Sequence, residues 1–289
     1  MEPFSIGKRA AALAILTAMA IPHVRADDPK DEGPGRLEFR ILADKKHDRE
    51  AAEKAKAADS LEHPPAGYRW IWLGQVVTGS DPKVEPDRLN VAGSHWKDDE
   101  FAGGSVRLTG KNLAGSDLSR YFQITKNTSE TLHLRPNPAL FLKSVSSFRI
   151  DSTPSGVGPF LGDDVIVLEV PEAPGRVKRS VLVKLDRHNV SEKNLRRVAP
   201  DVDERLRPAV RVEFSREGAD KFGALTREHL PEADGKFKYH LGIILDGRLL
   251  SAPVLNNEIR DAGIIELGQD ARPEEVERII KVLRVSSKR

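Results

Sequence analysis

The chain has no cysteine, which excludes disulfides, a cysteine-borne lipid anchor, thiol nucleophiles and cysteine-held iron–sulfur clusters together. Its fold must therefore rest on non-covalent packing, and 289 residues are enough for one large or two ordinary domains with real cores. Long apolar runs are lacking as well. Only Ala10 to Ile21 stands out, 12 residues against the roughly 20 that a membrane-spanning helix needs. An excess of one charge is the third absence. Lys and Arg total 46 and Asp and Glu 44, so nothing argues for a positive face that binds nucleic acid.

The apolar run sits in a segment built as a secretory leader. Lys8-Arg9 precede it and Val24-Arg25-Ala26 offers a small-residue cleavage site. Residues 1–26 are thus expected to be removed, leaving an exported chain, periplasmic or extracellular, with no membrane span. The leader takes three basic residues (Lys8, Arg9, Arg25) and one acidic (Glu2) with it, so the mature chain carries 43 of each sign and is formally neutral. Residues 27–35, with Pro29, Gly33, Pro34 and Gly35, read as a linker.

Motifs for chemistry are missing too. His240, Asp246 and Ser251 are tempting as a nucleophilic trio, but no G-x-S-x-G elbow exists and three residues of one hairpin rarely reach triad geometry. Gly156 to Gly162 has the wrong spacing for a phosphate loop and is followed by Asp163-Asp164, which would repel a phosphate. No histidine pair has H-x-x-x-H spacing, and Asp201, Asp203 and Glu204 lack a calcium loop's glycine and read as solvated surface charge. No catalytic residue, metal site or cofactor is assigned.

What is present is secondary structure. Leu241 to Leu255 reads as a β-hairpin: an apolar run covered on both faces, Asp246-Gly247 as a type I′ turn, a returning strand, and Pro253 ending the ladder. Leu37, Phe39 and Ile41 alternate with Glu38 and Arg40, which predicts a strand with the charged residues in water. A helix is expected over Lys46–Ser60, whose stripe Ala51, Ala52, Ala55 and Ala58 would lie on that strand. A second strand follows at Tyr68–Val77. Between Gly79 and Lys178 strands are expected at Ser119–Thr125, Thr131–Leu134, Val145–Ile150 and Val165–Val170, closed by a break at Pro171, Pro174 and Gly175. Further on come strands at Val181–Leu185, Pro208–Phe214 and Gly263–Leu267. Ser215 should cap one helix, and a second should start at Pro273 with Val276, Ile279, Ile280 and Leu283 as its apolar stripe. Strand, helix, hairpin, strand, helix makes this part an α+β domain with its helices on one face of a largely antiparallel sheet.

Val181 to Leu185, Pro208 to Phe214, Glu217-Gly218-Ala219 with Phe222, the hairpin Leu241 to Leu255, Gly263 to Ile265 and Glu274 to Val276 together resemble, in order, the first extracytoplasmic region of SecD, a subunit of the protein-export translocase. Leu37-Glu38-Phe39-Arg40 is similar to that region's opening strand, and Asn189 to Leu195 to a Val-Thr-Gly-x-x-Leu entry, with Glu192 in place of the usual glycine. Leu108 to Leu113 carries a weak echo of the same entry. The resemblance implies an α+β fold with a ferredoxin-like base subdomain over 36–179, continued or interrupted by mostly-β sequence, and a head subdomain over 180–289. It also implies a non-enzymatic role in Sec-type export, with unfolded or translocating polypeptide and Sec translocase components as partners. Asp246, Gly247, Ser251, Ala252, Pro253, Gly218 and Phe222 are the candidate polypeptide-contact or fold-signature residues. SecD runs on into a bundle of membrane helices after its last head helix, whereas this sequence stops at Arg289, so proton-coupled translocation is not expected of it. A diverged module that binds a peptide, a glycan or an envelope protein, and a hydrolase or metal enzyme with a site hidden from sequence patterns, are the other classes to test.

Overall fold

Leu37–Ile41 forms the first strand, β1, and the rest of the molecule is arranged around it. The computed structural model describes residues 36–55, 63–102, 104–153, 157, 161–267 and 273–286. The expected leader, the linker, most of the Gly156–Gly162 loop and Ala58 lie outside these residues. After β1 come α1 (Arg49–Ala55), β2 (Tyr68–Ser80), β3 (Lys83–Glu85), β4 (Arg88–Asn90), β5 (Ser105–Asn112), β6 (Asp117–Asn127), β7 (Thr131–Arg135), β8 (Leu142–Asp151), β9 (Val167–Ala173) and β10 (Arg176–Lys184). The remainder is β11 (Val190–Ser191), β12 (Leu195–Val202), β13 (Pro208–Phe214), α2 (Arg216–Arg227), β14 (Leu241–Leu245), β15 (Arg248–Ser251), β16 (Ala262–Glu266) and α3 (Pro273–Ser286). The fold is α+β and largely antiparallel, as expected. β11-β1-β14-β15-β2-β8-β5-β6-β7-β4-β3 is the order of the main sheet, with β10 and β9 branching from β2, and β12-β13-β16 forms a second sheet.

The hairpin is correctly read but belongs to a different sheet from the one expected. β14 pairs with β1 and β15, not with β13 or β16. The three-stranded sheet and α2 and α3 instead close over the β1–β14 face. Leu37, Phe39 and Ile41 meet Val210, Val212 and Phe214 from β13, Phe222 from α2 and Ile279 from α3 in one core. β14 is apolar at consecutive positions because its other face contributes Ile244 to a separate core with Ile71, Leu73, Val181 and Leu249.

Burial on both faces also corrects the expectation for Glu38. This residue is 2% exposed, since β1 lies between β11 and β14. Burial works to raise its pKa, but the Arg69 hydrogen bond at 2.6 Å and the charges of Arg40 and Arg69 outweigh it and hold the carboxyl below its ordinary range. Alternation identified which side chains lie together but not that both sides were covered.

Other differences have local causes. α1 begins at Arg49 rather than Lys46 because Asp44 Oδ1 accepts from the backbone N–H of Lys46 at 3.0 Å and of His47 at 2.8 Å, tying those residues into a turn. The expected break at 171–175 is a hairpin. β9 runs through Pro171 to Ala173 and pairs only with β10, and an edge strand tolerates a residue with no N–H. Asp203 is not solvated charge: it is 6% exposed, accepts from the N–H of Arg205 and Arg207, and pairs with the Arg207 guanidinium. The echo at Leu108–Leu113 is no structural repeat, as 108–112 lies in β5 while 190–194 forms a short strand and a 3-10 turn.

Candidate functional site

Two devices in the sequence fix the hairpin end. Asp246 and Gly247 have φ of 50° and 74°, the paired positive values of a type I′ turn. The turn is pinned to its neighbours: Arg36 N–H donates to Asp246 Oδ1 at 2.9 Å, Asp246 N–H to the Arg36 carbonyl at 3.0 Å, and Trp72 N–H to the Gly247 carbonyl at 3.1 Å. Arg248 lays its guanidinium 4.5 Å from the Trp72 ring centroid. Asp246 is exposed but its oxygen holds backbone.

At the opposite end of the hairpin Ser251 and Ala252 are buried and Pro253 is exposed. Ala252 accepts from His240 Nδ1 at 3.1 Å, and the Pro253 carbonyl accepts from Leu241 N–H at 2.9 Å. His240 and Asp246 flank β14 at its two ends, about 20 Å apart at strand rise. The trio with Ser251 therefore does not assemble.

Gly218 and Phe222 lie elsewhere, on α2. The Asn194 carbonyl accepts from Ser215 N–H at 2.8 Å, Ser215 Oγ accepts from Gly218 N–H at 3.1 Å, and a Cβ on Gly218 would stand 2.3 Å from that same carbonyl oxygen. Glycine is required by this close approach. Phe222 sits 5.3 Å from Phe39 and 4.6 Å from Phe214, ring to ring, inside the core. The seven candidates thus occupy three places: the turn, the 251–253 end and the α2 packing face.

Sequence reasoning missed a polar and aromatic cluster formed where β1 and β14 splay apart. Beyond Leu42, whose N–H donates to the His240 carbonyl at 3.0 Å, the first chain turns away so that Ala43 N–H reaches the Leu182 carbonyl. A cleft of about 270 Å3 opens between Leu42–Asp44 and Gly235–His240, closed on a third side by Gly162, Asp164 and Val165. Beside it, the His47 ring meets Phe237 edge-on at 4.7 Å and lies tilted against Tyr239 at 5.1 Å, centroid to centroid, and Glu232 pairs with Lys46 and His47. Burial raises the Tyr239 pKa, helped by Asp44, Glu232 and Asp48. The Lys46 hydrogen bond lowers that of Glu232. Asp48 accepts from Tyr68 at 2.7 Å and pairs with Lys184 at 3.1 Å. No short-range pattern joins residues 44–48 to 232–240, so no sequence signal marks this place.

Asp186, His188 and Glu228 bring potential metal-ligand atoms within 4.8 Å of one another. The Arg187 guanidinium occupies the same ground, donating to His188 Nε2 at 2.9 Å and lying 3.6 Å from Glu228. The exposed Arg187 side chain thus brings a positive charge to this group.

Fold and site together define a largely antiparallel α+β domain whose hairpin is a structural tie and whose concave surface lies beside it, with no catalytic constellation assembled from the candidate residues. Residues 168–287 match the family model described as SecDF, P1 head subdomain, the part of the chain in which most of the SecD-like motifs lie. Among solved structures, one described as a membrane component, SecDF, that enhances protein export is similar at 33% identity, over 33% of this chain and 40% of that one, with a TM-score of 0.29. SecDF from Thermus thermophilus, described as translocon-associated, matches at 32% identity over 34% and 12% of the two chains, TM-score 0.25. A super-membrane-facing form of SecDF matches at 16% identity over 81% and 31%, TM-score 0.29. This chain spans 40% or less of each of these. No curated protein matches it. Among the described residues no helix is long and apolar enough to cross a membrane.

Proposed function

We propose that the chain serves Sec-type protein export outside the cytoplasm as a non-enzymatic accessory factor that binds unfolded or translocating polypeptide. The observation that carries this reading is the match of residues 168–287 to the SecDF P1 head subdomain. It includes the hairpin and both helices of the second sheet. In this reading the leader is cleaved after Ala26. Gly218, Phe222, Ser251 and Ala252 serve the fold. The polypeptide is met on the exposed side, where Val254, next to the exposed Pro253, lines the cleft with Tyr239. Binding is passive, needing neither ATP nor a metal. It must offset the cost of ordering a flexible ligand, so micromolar affinity, about −8 kcal/mol, is expected.

The test is site-specific photocrosslinking in the native cell envelope, with the reactive group at Val254 and, as a control, at Glu277 on α3. Adducts to exported precursors or translocase components at Val254 alone support the reading. Adducts restricted to mature folded proteins or glycans would replace it with a diverged envelope-binding module.

A further inference from the structure

We propose that the cleft between Asp44 and His240 is a receptor for a basic side chain, the guanidinium or ammonium group of an arginine or lysine carried by an extended polypeptide. That the cation belongs to a polypeptide rests on the function proposed above; recognition of the cation does not.

Three features of the cleft point to a ligand rich in hydrogen-bond donors. Asp44 is 3% exposed and lines the cleft. Its Oδ1 is saturated by Lys46 N–H, His47 N–H and His47 Nδ1 at 2.8–3.0 Å, while Oδ2 is buried with no hydrogen-bond partner. A buried carboxylate oxygen without a donor is costly, and a cationic donor is the partner that removes the cost most completely. His240 supplies the second feature. Its Nδ1 lies 3.1 Å from the Ala252 carbonyl, which can only accept, so Nδ1 carries the hydrogen and in the neutral imidazole Nε2 presents the lone pair. That lone pair is at the cleft wall, 3.5 Å from where a Cβ on Gly162 would stand. Third, Asp164 is exposed and lines the cleft, and Phe237 and Tyr239 give the cleft an apolar wall suited to a methylene stem.

The nearby cations do not fill this role. Lys46 is paired with Glu232 and Lys184 with Asp48; of the two lysines that line the cleft itself, Lys238 donates to Asn256 at 2.9 Å and Lys236 lies 3.8 Å from Asp234. Lys45 reaches the Asp163 carbonyl. Asp44, Asp164 and His240 thus bring acceptor groups to the lining of the cleft, while the two lysines of that lining, Lys236 and Lys238, lie toward Asp234 and Asn256, the pattern of a cation pocket. The volume of about 270 Å3 suits a single long side chain rather than a larger ligand.

The experiment is an NMR titration of the whole chain with Nα-acetyl-arginine methylamide, its lysine counterpart, and the citrulline counterpart, which keeps the shape of arginine without the charge. Saturable shifts at Asp44, Gly162 and His240 are expected with the two cations, at least about tenfold weaker with citrulline. Asp44→Asn keeps the Oδ1 acceptor that holds the 45–47 turn and should lose the cation preference. Should that variant melt early, His240→Phe, which removes the Nε2 lone pair, carries the same expectation. Equal affinity for arginine and citrulline, absence of saturable shifts, or arginine affinity unchanged in both variants would overturn the proposal. A pocket blind to arginine in a chain that still binds unfolded polypeptide sinks the pocket alone. Arginine binding without polypeptide binding sinks the functional reading alone.

Discussion

The core under α2 and α3 and the core enclosed by β5, β6, β7 and β8 are built in opposite ways. In the first, Phe39 of β1 packs on Phe214 and Phe222, residues from the far end of the chain, and two helices and two sheets share the interior. In the second, Val106, Leu108, Phe122, Ile124, Leu132 and Leu134 come from strands joined in sequence by short turns, paired β5 to β6 and β6 to β7. One core is closed by a few distant contacts, the other by neighbours. Loss of a single joint in the first should therefore release a whole strand, while the same loss in the second should stay local.

Phe222→Ala tests this with the largest effect. It should cost about 3–5 kcal/mol and expose β1 and β13 amides to hydrogen exchange together. Phe122→Ala, also buried, should cost a similar amount, yet raise exchange in β5–β8 while leaving β1 protected. If both variants open the same amides, the two cores are one cooperative unit.

Gly218→Val should cost about 3 kcal/mol, because a side chain there meets the Asn194 backbone rather than a movable group. Thermal denaturation checks it, and a change under about 0.5 kcal/mol would mean that α2 can shift off the 3-10 turn.

Glu38→Gln should cost about 2 kcal/mol at neutral pH by removing the charged acceptor of Arg40 and Arg69. Since the folded carboxyl titrates below its ordinary value of 4.5, its contribution is complete above that pH and is lost as pH falls through the folded pKa. The gap in stability between native protein and variant should thus close in acid. A gap that does not change from pH 7 to pH 3 would contradict the ion-pair assignment.

Smallest of all are the turn substitutions. Gly247→Val should cost about 1–2 kcal/mol through the positive φ. Asp246→Asn retains the oxygen that accepts from Arg36 and should shift stability by under about 0.5 kcal/mol. A larger loss in Asp246→Asn than in Gly247→Val would show that charge, not backbone geometry, fixes the turn.

The same contrast explains what could be read from residues alone. Ser215 as a cap, the stripe Val276, Ile279, Ile280 and Leu283, and the Asp246-Gly247 turn are short-range signals, and each stands where expected. β5 escaped notice although Val106 and Leu108 alternate with Arg107 and Thr109, because Gly110 interrupts the pattern; β3 and β4, three residues each, are too short to show a period. β12 was hidden by Pro200 and by an alternation broken with charge, at a sheet edge where both are tolerated. The Asp44–His240 cleft was illegible for another reason: its walls are set by where two paired strands diverge, and nothing in 44–48 or 232–240 taken separately encodes that divergence.

Titration of the whole chain with one export precursor in two states, unfolded by substitution and natively folded, tests the central claim most directly. Calorimetry should give a micromolar Kd for the unfolded state, unchanged by ATP or by a chelator, and no detectable heat for the folded one. Equal affinity for both states, or binding of neither, would contradict a role in handling exported polypeptide.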